Sequence, residues 1–135
     1  MNRRLLDTHT LIWLMESTPD LGKSSQKMIE EASEKESVII SVISFWEIAM
    51  LREKKRIQIA QPIRSWRRTI LDLGIKEIPL SGDIAINSVT LENFHQDPAD
   101  RMIVATALTQ SATLITADKK ILNWSGKLQR HDACK

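Results

Sequence analysis

Four acidic residues fall where the chain turns from strand into helix or opens a helix: Asp7 in LLDTHT, Glu47 in SVISFWEIA, Asp100 in DPADRMIVATAL and Asp118 in LITADKK. Singly, each has an ordinary explanation. Carboxylates at helix N-termini accept orphan N–H groups and complement the macrodipole. Ser44 with Glu47 matches the capping box S-x-x-E, and Asp97-Pro98 reads as an N-cap followed by proline at the first helical position. As a group the acids ask for more. Two carboxylates ~5 Å apart at an effective dielectric near 20 repel by roughly 3 kcal/mol, so several facing one cleft need protons or a cation. Hard oxygen donors suit Mg²⁺ or Mn²⁺, and no cluster of thiolates or imidazoles accompanies them to favour zinc. A carboxylate-held divalent ion activates water and offsets charge on a phosphate, a recurrent device for hydrolysing phosphodiesters.

Hydrophobic spacing predicts the elements that must bring these groups together. Arg4-Leu5-Leu6 reads as a buried strand, followed by a helix through Leu11, Ile12, Leu14 and Met15. Residues 24–36 carry a polar helical pattern, Val38-Ile39-Ile40 is a β-branched strand, and a helix runs from Phe45 to about Arg56. Pro62 suits the first turn of a helix reaching about Leu73, with Gly74 at its end. Ile75 to Ile78 is a third strand, and Ser81 caps a helix through Ile84, Ala85, Val89 and Leu91. Pro98 opens another helix, Thr113-Leu114-Ile115 is a fourth strand, and Lys127 to Arg130 a possible edge strand. Strand alternating with helix means an α/β fold with a mostly parallel sheet. In such a sheet the helix after a strand starts at the carboxyl edge, and the helix before a strand has its N-terminus there. All four acids are therefore expected on one rim, where open α/β sheets bind ligands.

Composition sets the outer bounds. The 135 residues, 42% hydrophobic and 27% charged, fit one globular domain spanning 1–135. The single cysteine, Cys134, excludes an intramolecular disulfide and a Cys-rich zinc site. Asp7 and His9 interrupt the early apolar run behind Arg3 and Arg4, so no signal peptide is expected. No run of about eighteen apolar residues occurs, so no membrane span is expected and a cytoplasmic location is the default. The absence of G-x-x-x-x-G-K-[ST] excludes a P-loop NTPase. A haloacid-dehalogenase-like phosphatase wants an acid two positions after Asp7, where this chain has His9. A receiver domain lacks its phosphoacceptor and late lysine in clear context. The net charge is only +2, yet residues 51–76 carry eight basic residues against two acids, a net +6. Residues 77–118 carry Arg101 alone against six acids. Such asymmetry is the footprint of a phosphate-binding surface beside a metal site, with Arg67 and Arg68 the residues chosen to test it; the alternative is a solvated helix face.

LLDTHTLIWLME, SVISFWEIAMLRE and HQDPADRMIVATALTQSATLITADKKI together resemble the PIN domain, and more narrowly the VapC-type toxins of bacterial type II toxin–antitoxin pairs. The resemblance covers essentially the whole chain. It implies a three-layer α/β/α sandwich with a mostly parallel central sheet of four to five strands. The family's acids carry over onto Asp7, Glu47 and Asp100, with Asp118 as the fourth and Asp97 set aside on spacing. Implied with them are a Mg²⁺- or Mn²⁺-dependent endoribonuclease leaving 5′-phosphate and 3′-hydroxyl ends, a homodimer, and a cognate antitoxin occupying the cleft. Thr116 matches a hydroxyl residue two before the fourth acid, a second-layer or water-positioning group. Ala99 departs from the bulky aromatic often found in the DPxDR signature. A PIN-like module that binds RNA or protein without cutting is the rival reading, against which the intact acids argue.

Several residues carry weaker expectations. His9 either contacts substrate or metal or, as the favoured reading, packs its helix. His95 and Asp97 are assigned loop and cap roles. Arg101 either binds phosphate or pairs with a neighbouring acid. Trp13, Trp46 and Trp66 sit in helical patterns suited to core or interface. Ile12, Trp13, Trp46, Met50 and Leu51 either line a groove for an antitoxin helix or fill the core.

Overall fold

The protein is described by a computed structural model over residues 2–135. Five strands form its sheet: β1 (Arg4–Leu6), β2 (Val38–Ser41), β3 (Lys76–Ile78), β4 (Thr113–Thr116) and β5 (Arg130–Asp132). Their order is β3-β2-β1-β4-β5 and every pairing is parallel. Seven helices join them: α1 (Thr8–Met15), α2 (Lys23–Glu34), α3 (Val42–Glu53), α4 (Ile63–Asp72), α5 (Gly82–Val89), α6 (Pro98–Thr109) and α7 (Lys119–Leu122).

The short apolar strands are buried on both faces, as parallel strands covered by helices must be. Period-two alternation sends Leu6, Val38, Ile40 and Ile115 into one core with Leu11, Ile29, Trp66 and Ile70. Leu5, Ile39 and Leu114 point the other way, against Ile103, Val104 and Ala107 of α6 and Ile121 of α7. The result is the expected three-layer sandwich, its sheet wholly rather than mostly parallel. Trp66 is fully buried and its indole donates to Glu16 Oε2 (3.2 Å), whereas Trp46 lies 57% exposed, outside the core. Among the described residues no helix is long and apolar enough to cross a membrane.

Several boundaries differ from the sequence expectation by one to three residues, the short helix α7 is additional to it, and three of the differences have a clear local reason. The edge strand is Arg130–Asp132 rather than 127–130, because pairing with β4 requires the register Leu114 to Arg130. Helix α3 starts at Val42, capped by the Ser41 hydroxyl accepting from the Ile43 amide. Ser44 and Glu47 are therefore inside the helix and form no capping box; Glu47 belongs to its second turn. Pro62 occupies the N-cap of α4, one position before the expected first turn.

Candidate metal centre

From β1 the chain lays β2 and β3 on one side and β4 and β5 on the other, so the carboxyl ends of β1 and β4 flank a topological switch point. Asp7 follows β1 directly and caps α1, its Oδ1 accepting from the Thr10 amide (2.9 Å). Asp118 caps α7 after β4, its Oδ1 accepting from the Lys120 amide (2.8 Å). Asp100 lies in the first turn of α6, where Asp97 serves as the N-cap and accepts from the Asp100 amide (3.0 Å). Asp97 is thus a cap and Asp100 is free for the cleft. Asp7, Glu47, Asp100 and Asp118 all line one cavity of about 300 Å³, together with Thr8, His9, Trp13 and Ala117. Capping and cleft-facing roles coexist in Asp7 and Asp118, so the two explanations weighed on sequence are not exclusive.

Hydroxyl groups aim these carboxylates. Thr116 Oγ1 donates to Asp7 Oδ2 and accepts from the Asp118 amide (3.1 Å), tying together the acids at the ends of β1 and β4. Thr8 Oγ1 donates to Glu47 Oε1 (2.5 Å) and lies 3.1 Å from Ser44 Oγ, so the residue after Asp7 steadies the acid on α3. Thr8 was not legible as a site residue; its only sequence signal is a second hydroxyl beside Asp7.

The cost of gathering these charges shows in their titration. Burial pushes the Asp7 carboxyl up, opposed by the donors Thr116 and Thr10 and by His9. Asp100 is pushed up to about 8, by burial first and then by the negative charges of Asp97, Asp118 and Glu47. Both causes favour the uncharged carboxyl, and a cation bound among these oxygens would oppose them. Oxygen donors, like charges that need neutralising and a small cavity fit a divalent cation.

His9 is exposed on α1, tilted over Trp13 at 6.4 Å and at the cavity wall, so it does not pack its helix into the core. Arg101 neither faces the cavity nor pairs with an acid. Its guanidinium donates to the carbonyls of Ser88 (2.9 Å), Phe94 (2.7 Å) and His95 (2.8 Å), with Val89 and Leu91 at 3.4 Å, and lies over the Phe94 ring. Five donors in a rigid fork suit a loop whose carbonyls converge, and this one joins α5 to α6. Arg67 forms a two-pronged ion pair with Glu77 (2.7 and 2.9 Å) and stacks on Phe45, so its charge is already offset. Arg68 is exposed and shares a separate surface cavity with Arg64 between α3 and α4. His95 lies in the α5–α6 loop, as expected, and from there brings Nε2 to 3.1 Å from Asp100 Oδ2.

The PIN domain family model matches residues 4–126. The chain belongs to the PIN domain family. It is 33% identical over 122 residues to Ribonuclease VapC22 of Mycobacterium tuberculosis (strain ATCC 25618 / H37Rv), covering 90% of this chain and 91% of that protein. A toxin–antitoxin complex from Klebsiella pneumoniae contains a chain 28% identical, with a TM-score of 0.62 and coverage of 96% and 97%. A DNA-bound VapBC from Salmonella typhimurium shares the fold at a TM-score of 0.71 and 17% identity, covering 99% and 100% of the two chains. In this PIN domain the acidic cavity sits at the switch point of the sheet, where the fold leaves room for a ligand.

Proposed function

We propose that the chain is a divalent-metal-dependent endoribonuclease, the toxin of a type II toxin–antitoxin pair, acting as one PIN-like domain over residues 1–135. The observation that carries this reading is the convergence of four carboxylates on one cavity. Asp7, Glu47, Asp100 and Asp118 hold the ion, Mg²⁺ or Mn²⁺. When bound, the ion supplies Lewis acidity toward the phosphate and makes water a nucleophile at neutral pH. Thr116 keeps Asp7 oriented toward the cavity, and Thr8 does the same for Glu47. A bound ion would offset the like charges that push the Asp100 carboxyl up. Water attacking in line with a departing 3′ oxygen, as the family resemblance implies, would leave 5′-phosphate and 3′-hydroxyl ends and does not need the ribose 2′-OH. His9 at the cavity wall is placed to meet the substrate backbone.

The ribonuclease name of the VapC22 relative and the toxin–antitoxin neighbour at 28% identity support the assignment. An antitoxin segment suits the apolar groove of about 630 Å³ between α1 and α2, whose lining includes Trp13, Leu14, Met15, Leu21 and Ile29. Of the groove residues expected from sequence, Trp13 is there; Ile12 fills the core instead, and Trp46, Met50 and Leu51 are not among its lining. Homodimerisation would cover exposed apolar residues such as Ile86 and Val89 of α5. The proposed location is the cytoplasm.

The test is RNA cleavage by purified protein with and without chelator, alongside Asp7→Asn. Cleavage abolished in both arms is expected; cleavage persisting in both sinks the nuclease reading. A protein that binds RNA yet takes up no Mn²⁺ at millimolar concentration in calorimetry is a binding module instead.

Removing the hydroxyl of Thr116 tests how Asp7 is aimed. Thr116→Val deletes a donor that holds the Asp7 carboxyl down, so its pKa rises further. Cleavage should fall about 10- to 100-fold, as for other outer-layer partners of a metal site. The alkaline shift of the rate–pH profile distinguishes this from simple loss of protein.

RNA binding should depend on Arg64 and Arg68 more than on Arg67, whose guanidinium is committed to Glu77. Reversing charge at Arg64 and Arg68 should lower the slope of log affinity against log salt by about 1 for each phosphate that is no longer neutralised. An unchanged slope assigns both arginines to a solvated face.

A further inference from the structure

Besides His9 in the cavity wall, a second nitrogen donor lies at the Asp100 edge of the site, outside the cavity lining, and neither the capping pattern nor the acid motif accounts for it. His95 Nε2 is shielded from solvent and makes no hydrogen bond, although it lies 3.1 Å from Asp100 Oδ2. An imidazole N–H that meets a carboxylate at this distance would ordinarily point at it. Here the pair touch without that alignment. Two donors sharing one cation behave this way: with metal–ligand bonds of about 2.1 Å, cis ligands of an octahedron sit about 3.0 Å apart, each aimed at the ion rather than at the other. A third donor completes the group, because ligand atoms of His95, Asp100 and Asp118 all lie within 4.8 Å of one another.

The ring is also held in place. Arg101 Nε donates to the His95 carbonyl, Arg101 binds the preceding Phe94 carbonyl, and the Phe94 ring lies 4.5 Å from the imidazole. A loop histidine pinned on its backbone and against a neighbouring ring loses little further freedom when it ligates.

We propose that His95 is a metal ligand on the α6 side of the centre, joining Asp100 and Asp118 around the cation and biasing the site toward Mn²⁺ over Mg²⁺. The inference rests on the metal-dependent reading of this cavity but concerns the nature of the ligand set, not cleavage. The bias follows from donor chemistry: both ions accept carboxylates, but Mg²⁺ dehydrates reluctantly and keeps oxygen ligands, so an added imidazole favours Mn²⁺ of the two. Ligation uses the Nε2 lone pair, so the neutral ring carries its proton on Nδ1.

The experiment is pulsed electron paramagnetic resonance of Mn²⁺ bound to the whole protein, read for ¹⁴N coupling from a directly bound imidazole. Wild type should show that coupling, His95→Gln should lose it, and His9→Gln should keep it. Competition between Mn²⁺ and Mg²⁺ should show the Mn²⁺ preference falling about tenfold in His95→Gln. Mn²⁺ bound to wild type without nitrogen coupling overturns the proposal while leaving a metal-dependent nuclease intact. Coupling that survives in His95→Gln and vanishes in His9→Gln overturns it as well, and requires no cleavage assay. Failure of wild type to bind Mn²⁺ at all overturns both readings together.

Discussion

Asp100→Asn is expected to abolish RNA cleavage and, in the same protein, to raise thermal stability in the absence of divalent ion. Loss of a direct ligand should exceed the 10- to 100-fold effect typical of outer-layer partners, so a fall of at least about 100-fold is expected. The stability gain has the opposite origin. The Asp100 carboxyl has its pKa raised from 3.8 to about 8 by burial and by Asp97, Asp118 and Glu47. Between those two values the folded protein binds more protons here than the unfolded chain does, so this group makes stability fall as pH rises. The loss begins near the unfolded value of 3.8 and is complete above about 8.

Asparagine keeps the shape and removes the charge. The variant should therefore match wild type near pH 4 and outlast it increasingly up to about pH 8, above which the gap stays level. A gain on the order of 1 kcal/mol after solvent screening corresponds to roughly 3–5 °C for a domain of this size. Millimolar Mn²⁺ should reverse the ranking, because an ion that binds only the folded wild type stabilises it by mass action. Thermal unfolding across pH 4–9, with and without Mn²⁺, checks all of this; melting curves that do not cross would mean that the repulsion among these acids is not what the cation relieves.

Arg101→Met should be the most damaging single change outside the hydrophobic core. It withdraws one cation from the carbonyls of Ser88, Phe94 and His95 and leaves the Trp124 indole, donating to the Glu92 carbonyl, as the remaining side-chain tie described on that loop. Charge-assisted bonds of this kind and the cost of stranding their partners place the loss at about 2–4 kcal/mol, or roughly 6–20 °C. Arg101→Lys should recover little, since a single ammonium does not reproduce the planar fork. Amide exchange in residues 88–97 should accelerate most, because the loop opens before the sheet does. Mn²⁺ affinity should fall with it, as Asp97, Asp100 and His95 all depend on where this loop delivers the start of α6. Unchanged stability with weakened RNA binding would instead return Arg101 to a phosphate-binding role.

The sequence alone was sufficient for the alternation of elements and for which acids they carry. Buried parallel strands must be short and apolar, as Leu5-Leu6, Val38-Ile39-Ile40 and Leu114-Ile115 are, and a helix following such a strand must begin at its carboxyl edge. Asp7, Glu47, Asp100 and Asp118 reach one cavity as a consequence of that rule. Boundaries governed by one side chain were harder: Ser41 competed with Ser44 for the same cap, and β5 waited on its register with β4.

Side chains that act through loops were not legible. Arg101 stands next to Asp100 in the chain, yet it turns away to bind carbonyls from residues 88–95, and no periodicity predicts where those carbonyls converge. Arg67 sits in a basic run whose charge counts suggested a free cation, but Glu77, ten residues on, comes alongside it. His95 is brought to Asp100 only by the path of the α5–α6 loop. Local sequence determined the strands, the helices and the acids at their junctions, because these depend on spacing within a few residues. The tertiary structure alone decided which cations remain free, which hydroxyls aim the carboxylates and which imidazole meets them, because each depends on the path of a different stretch of chain.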